Sequence, residues 1–272
     1  MELYQQMSYE LAERLTRRYS TSFSMSSRLF AARIRPHIYA IYGMVRLADE
    51  IVDTYRGEDA MAQLDNFEAV VYQACKQGYS TNPIVHAFAL TAQKYGIEPE
   101  LIAPFFASMR MDISAMVYDE AVYRRYIYGS AEVVGLMCLK VFVEGDVAQY
   151  KQLRDGAMHL GAAYQKVNFL RDLKADYELL GRVYFPGVDY QSFSDTSKRA
   201  IEADIAADFA VAKASVQQLP STARRAVHTS VLYYEALFRR LQKASVTDIK
   251  ARRIRVPNSV KLLLFVRGAV GL

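Results

Sequence analysis

Apolar residues recur along this chain every three or four positions rather than every second one, which is the spacing of amphipathic α-helices. Leu3, Met7, Leu11 and Leu15 predict a helix over residues 3–19. It runs into the hydroxyl-rich stretch Tyr-Ser-Thr-Ser-Phe-Ser-Met-Ser-Ser of residues 19–27, which reads as a break: a cap or turn, or a source of hydroxyls and amides for a phosphate. Pro36 opens the next helix at its first turn, with Ile38, Ile41 and Val45 on the packing side and an end near Gly57. Further helices are predicted over about 60–78, 83–95 and 99–117, with Gly78 and Gly96 as stops, and another between 122 and 144. A long helix over 147–180 stops at Gly181, and Arg-Val-Tyr-Phe-Pro186 leaves it extended. Helices over 195–218 and 220–243 follow. The last apolar stretch, 260–272, is interrupted by Lys261 and Arg267, and reads as a packed helix or an interfacial anchor, packing being favoured.

With 52% hydrophobic residues, 13 Gly, 7 Pro and no linker-like stretch in 272 residues, the expected fold class is all-α: a single-domain helical bundle over 1–272.

Two stretches depart from plain amphipathic patterning. Gln165, Asn168, Asp172 and Asp176 follow one another at spacings of three, four and four, so they share one helix face. Tyr42, Arg46, Asp49 and Asp53 do the same at four, three and four. Carboxylates one turn apart repel, and a hard dication such as magnesium relieves the repulsion while keeping water or phosphate as its other ligands. One Asp-x-x-x-Asp ordinarily marks a solvated face. Two copies, each with apolar residues on its other faces and amide, Tyr or Arg beside the acids, point instead to facing helices that hold several ions and a diphosphate between them.

The small residues Gly129, Ser130, Ala131 and Gly135 within 126–135 permit close approach, either for tight helix packing or for a ligand's hydrocarbon chain. A net charge of +5 suits an anionic partner of any kind. No nucleic-acid-binding signature accompanies the basic run Lys250-Ala-Arg-Arg-Ile-Arg255, so nucleic acid is not expected. Cys75 and Cys138 are too far apart for a ligand pair and fit a reducing, cytoplasmic setting. The N-terminus has no secretory pattern, and no stretch reaches the ~18 apolar residues of a spanning helix. His37, His86, His159 and His228 show no metal or nucleophile spacing and read as surface or satisfied core. No glycine-rich phosphate loop follows a strand, so nucleotide-dependent redox chemistry has no home.

These residues, taken together and in order, resemble the head-to-head isoprenoid synthases: squalene, dehydrosqualene and phytoene synthases. The resemblance rests on Tyr19-Ser-Thr-Ser-Phe23, on residues 40–53, on Tyr126 to Gly135, and on residues 165–176 followed by Gly-Arg-Val-Tyr-Phe-Pro186. It covers nearly the whole chain. It implies an isoprenoid-synthase bundle around a central cavity, with Asp49, Asp53, Asp172 and Asp176 binding magnesium, or manganese, that bridges to prenyl diphosphates. Asn168 joins that metal set, and Arg46 and Gln165 assist. Ser22, Tyr42 and Arg171 are implied at the diphosphate, and Tyr128 near the reacting carbons. Glu132 departs from the family's Ala-Gly-x-Val-Gly, and nothing carries over to the carboxyl-terminal region.

By the family's mechanism one allylic diphosphate ionises, the second substrate's double bond attacks, and a cyclopropyl diphosphate forms and rearranges. The nearest resemblance is to bacterial phytoene synthases, especially in residues 47–53 and 129–138. The expected reaction is therefore two geranylgeranyl diphosphates to phytoene without NADPH, with a C30 product from farnesyl diphosphate as runner-up. A non-catalytic, membrane-adjacent binding protein and a cyclase acting on one substrate are the remaining alternatives. Peripheral contact with the inner membrane face is left open.

Overall fold

A computed structural model describes residues 1–55, 57–114 and 118–270, and every regular element among them is helical. The helix α1 (Glu2–Tyr19) ends at Ser20, whose hydroxyl accepts from the Phe23 amide at 3.3 Å and starts a second helix, α2 (Thr21–Ser27). The hydroxyl-rich stretch expected to be a break is therefore mostly helix, because a serine that ends one helix can cap the next. α1 also turns its pattern inside out. Its buried residues are Ser8, Ala12 and Thr16, while Leu3, Met7 and Leu11 face outward. Small residues let α1 lie close on α3 (Arg35–Asp49) and α5 (Pro83–Tyr95), and the Ser8 and Thr16 hydroxyls bond back to carbonyls one turn earlier.

α3 begins with Pro36 in its first turn and passes into a π-helical segment, π1 (Glu50–Tyr55), so the expected end near Gly57 is met within two residues. α4 (Ala60–Gln77) and α5 follow the predicted bounds. α6 (Pro99–Ile113) is shorter than the expected 99–117, of which 115–117 lie outside the described residues. The stretch expected as one helix over 122–144 is three: α7 (Glu120–Ile127), a second π-helical segment, π2 (Tyr128–Glu132), and α8 (Val133–Phe142).

The longest helix, α9 (Val147–Leu180), spans about 50 Å at 1.5 Å per residue. Asp146 caps its start by accepting from the Gln149 amide at 2.9 Å. α9 is contacted along several sides, by α10 (Asp195–Val216), α8, π2 and α11 (Ser221–Lys243), which is why its apolar residues do not form a single stripe. Its first half packs into a core with Met44, Phe88, Phe105 and Leu136, and its second half into one with Tyr126, Tyr184, Ile205 and Phe209. The site cavity lies along α9 where the two cores meet.

The chain closes with α12 (Val246–Ala251), which the patterning did not anticipate, and α13 (Asn258–Val270), with 271–272 outside the described residues. A Cβ on Gly268 would collide with the Thr229 side chain, so glycine there seats α13 directly on α11. Among the described residues no helix is long and apolar enough to cross a membrane.

The histidines fall largely as expected. His37 is buried and bonded to Thr91 at 2.9 Å; His86 instead stacks on Tyr4 at 4.8 Å, with its Nδ1 buried and without a hydrogen-bond partner among the described residues.

Candidate active site

One cavity of about 1130 Å³ is lined by both acidic stripes. Pockets for one drug-sized ligand run to roughly 300–1,000 Å³, so this one is large. Its polar end holds Ser22, Tyr42, Arg46, Asp49 and Asp53 from the N-terminal half, with Gln165, Asn168, Arg171, Asp172 and Asp176 from α9. Its apolar end is walled by Phe30, Val45, Val134, Leu139 and Leu160, among others. Ten of the eleven residues singled out in the sequence therefore meet in one place.

Tyr128 does not line the cavity. It is half-buried against the larger core. The cavity face of this segment carries Tyr126, Ser130, Val134 and Cys138 at spacings of four, and Tyr128, two residues out of step, lies on the other side. The small residues serve tight helix packing in part. A Cβ on Gly129 would collide with the Pro104 carbonyl, and one on Gly161 would lie 2.5 Å from the Ala131 carbonyl, so these glycines serve packing. Ser130, Ala131 and Gly135 border the cavity. Glu132 is half-buried under the influence of His159, Lys166 and Arg154, and burial raises its carboxyl.

Each stripe is built by a local feature. Asp49 ends α3 and Asp53 lies in π1. A π turn holds about one residue more than an α turn, so residues four apart stay nearly in line. Across the cavity, α9 carries Asp172 and Asp176 and then stops at Gly181, whose φ of +66° favours glycine. The Arg182 amide bonds back to the Asp176 carbonyl at 3.0 Å, and this reversal returns the Arg182 side chain to the site.

Arg182 Nη1 lies 3.7 Å from Asp53 and 3.3 Å from Asp112. Asp112 accepts from Tyr126 at 2.7 Å and from Tyr184 at 3.0 Å. Burial pushes its carboxyl up to about 6 against the pull of Arg182. The patterning missed this network. Its signal was a carboxylate, Asp112, between the apolar Met111 and Ile113, together with the Arg and Tyr of the exit from α9.

The charges are unevenly compensated. Asp172 is gripped by Arg171 (Nη2–Oδ2 2.5 Å) and by Arg253 (Nε–Oδ1 2.6 Å), the latter from the C-terminal segment where no site residue was assigned. Arg46 pairs with Glu50 and lies 3.6 Å from Asp49, with its guanidinium over the Tyr19 ring. Asp49 and Asp176 are less well compensated. Burial, then repulsion from Asp53, pushes Asp49 up to about 8; burial, then Asp172 and Asp53, pushes Asp176 up to about 7. Asp53 acts on Asp176 because both stripes line the one cavity. Tyr42 stacks on Phe23 and is pushed up to about 12, chiefly by burial; Tyr234 donates to Asn168 at 3.4 Å.

This donor set fits magnesium: hard oxygens, two to a stripe, with Asp49 and Asp176 raised by burial and by neighbouring carboxylates that a dication would relieve. Among the described residues no three carboxylate, His or Cys side chains converge into a closed cage. An ion here would complete its shell with water and phosphate oxygens, which is magnesium's habit.

All-α architecture, a cavity with an apolar body and paired aspartates at its polar end define the isoprenoid-synthase class. Residues 16–259 match the squalene/phytoene synthase family, and the chain belongs to it. A phytoene synthase of Arthrospira platensis is 30% identical over 202 residues, covering 70% of this chain and 64% of that protein. A 4,4'-diapophytoene synthase of Staphylococcus haemolyticus is 24% identical, covering 74% and 70%. The chain thus spans about two thirds of the length of these relatives. In fold it is similar to a crystal structure of a dehydrosqualene synthase in complex with ligand, with a TM-score of 0.84 at 18% identity over 98% of this chain and 97% of that one.

Proposed function

We propose that this protein, with residues 1–272 acting as one synthase domain, joins two prenyl diphosphates head to head and releases diphosphate. The observation that carries the reading is the opposition of Asp49 and Asp53 to Asp172 and Asp176 at the polar end of a large apolar cavity. The four aspartates and Asn168 would hold magnesium, which supplies the Lewis-acid charge that stabilises a departing diphosphate. Arg46, Arg171 and Arg253 stand where they can exchange carboxylate partners for phosphate oxygens, with Tyr42, Ser22, Gln165 and Tyr234 as neutral donors. The apolar walls align the two hydrocarbon chains and exclude water from the allylic cation until the second double bond attacks it.

Geranylgeranyl diphosphate is the favoured substrate and phytoene the product, supported by the size of the cavity and by the phytoene synthase relative. The diapophytoene synthase relative supports a C30 product from farnesyl diphosphate as the second reading. The test incubates purified protein with magnesium and each prenyl diphosphate, with and without NADPH, and identifies the hydrocarbon by mass. A C40 product independent of NADPH is expected. Recovery of C30 product alone refutes the substrate choice, and a product holding one substrate's carbons refutes head-to-head joining.

A further inference from the structure

α13 presents an apolar face that the other described residues do not cover. Leu262, Leu263, Val266 and Val270 are 58%, 60%, 51% and 63% exposed. At 100° per residue they fall on one arc of the helix, opposite Leu264 and Gly268, which are buried. Because Gly268 brings α13 onto Thr229, and the Tyr233 hydroxyl bonds to the Lys261 carbonyl at 2.8 Å, this outward direction is set by packing. The face is a stripe on a well-seated helix.

Its surroundings are strongly cationic. Residues 249–272 contain Lys250, Arg252, Arg253, Arg255, Lys261 and Arg267, and no Asp or Glu. Arg255 and Arg267 are exposed and have no ion-pair partner among the described residues. A second copy docked face to face on this stripe would bring like charges together. An anionic surface would neutralise them.

The stripe also adjoins the cavity. Arg253, Ile254, Arg255, Val256, Asn258 and Lys261, which lead into α13 and form its first turns, line the same cavity as the aspartates.

We infer that α13 docks the protein on an anionic lipid bilayer, with Leu262, Leu263, Val266 and Val270 entering the interface and Arg255 and Arg267 meeting lipid phosphates. The rim of the cavity then lies at the bilayer surface. Long-chain substrate and hydrocarbon product exchange there with lipid rather than with water. That consequence rests on the proposed prenyl transfer, whereas docking does not.

The test is co-sedimentation of the full chain, without substrate, with vesicles of phosphatidylglycerol and phosphatidylcholine in equal parts. Binding is expected, and it should fall roughly tenfold on pure phosphatidylcholine or in high salt. The triple variant Leu262→Ser, Leu263→Ser, Val266→Ser should lose roughly tenfold or more in binding while keeping its thermal melt and its turnover in detergent micelles. Arg267→Glu, a single surface change, should weaken binding to the anionic vesicles alone. Undiminished vesicle binding by the triple variant overturns the inference, as does a parent protein that stays in the supernatant. So does a parent dimer, seen by sedimentation velocity, that the triple variant dissociates. None of these outcomes bears on the hydrocarbon product, so prenyl transfer stands or falls separately.

Discussion

Replacing Asp49 by Asn should abolish most activity and at the same time stabilise the metal-free protein. Asp49 sits among Asp53, Glu50 and Asp112 with Arg46 as the nearby cation, and its carboxyl rises from the ordinary 3.8 to about 8. A folded carboxyl with a raised pKa binds more protons than the unfolded one. Stability therefore falls as pH climbs from about 4 to about 8. At about 1.4 kcal/mol per pH unit the whole span sets a ceiling of about 6 kcal/mol. Since 31% of the side chain is exposed, water screens most of that, leaving on the order of 1–2 kcal/mol. Asn keeps the shape without the charge. Urea denaturation with a chelator present should show the variant equal to the parent near pH 4 and more stable by that amount near pH 8. Turnover with magnesium should fall about 10³-fold, equivalent to about 4 kcal/mol of transition-state stabilisation. A variant no more stable than the parent at pH 8 would show that Asp49 is not held against its own electrostatics. Activity within about tenfold of the parent would remove it from the metal set. The predicted pairing of gain and loss is the mark of a site strained for function.

Three further outcomes follow from other parts of the structure. Arg182 and Asp112 have side chains only 10% and 4% exposed, so Arg182→Gln strands a buried carboxylate and should cost about 3–5 kcal/mol in urea denaturation, whereas the pair Arg182→Gln, Asp112→Asn should recover most of it. Gly129→Ala should cost on the order of 3 kcal/mol by calorimetry, because the new methyl meets the Pro104 carbonyl; an unchanged melting temperature would refute the close packing of π2 on α6. His37 is held down to about 4 by burial and then by Lys94, whose ammonium lies 3.3 Å from Nε2 and can only donate. The unfolded chain binds the extra proton first, so stability should fall by up to about 3 kcal/mol as pH drops from about 6.5 to about 4, and His37→Gln should flatten that slope.

Much of this was legible in one dimension. Helical periodicity recovered the long helices because their burial repeats with the helix turn, and the stop of 147–180 at Gly181 was legible because a left-handed glycine ends it. The two acidic stripes were legible for the same reason: residues that act together on one helix face keep a fixed spacing. Where a second helix decided the outcome, spacing misled. α1 buries Ser8, Ala12 and Thr16 because its neighbours demand close approach, so Leu3 and Leu11 are left outside. Tyr128 falls behind the cavity because π2 meets α6 at Gly129.

What the sequence by itself determined is the all-α class, the ends of α4, α5 and α9 and the carboxylates arrayed for a cation, since each follows from contacts within a few residues. Only the tertiary structure decided that the stripes oppose each other, that Arg182 joins Asp53 to Asp112, and that Arg253 reaches Asp172 across 81 positions of chain. Electrostatic pairing depends on distance through space, and that distance is set by the packing of whole helices.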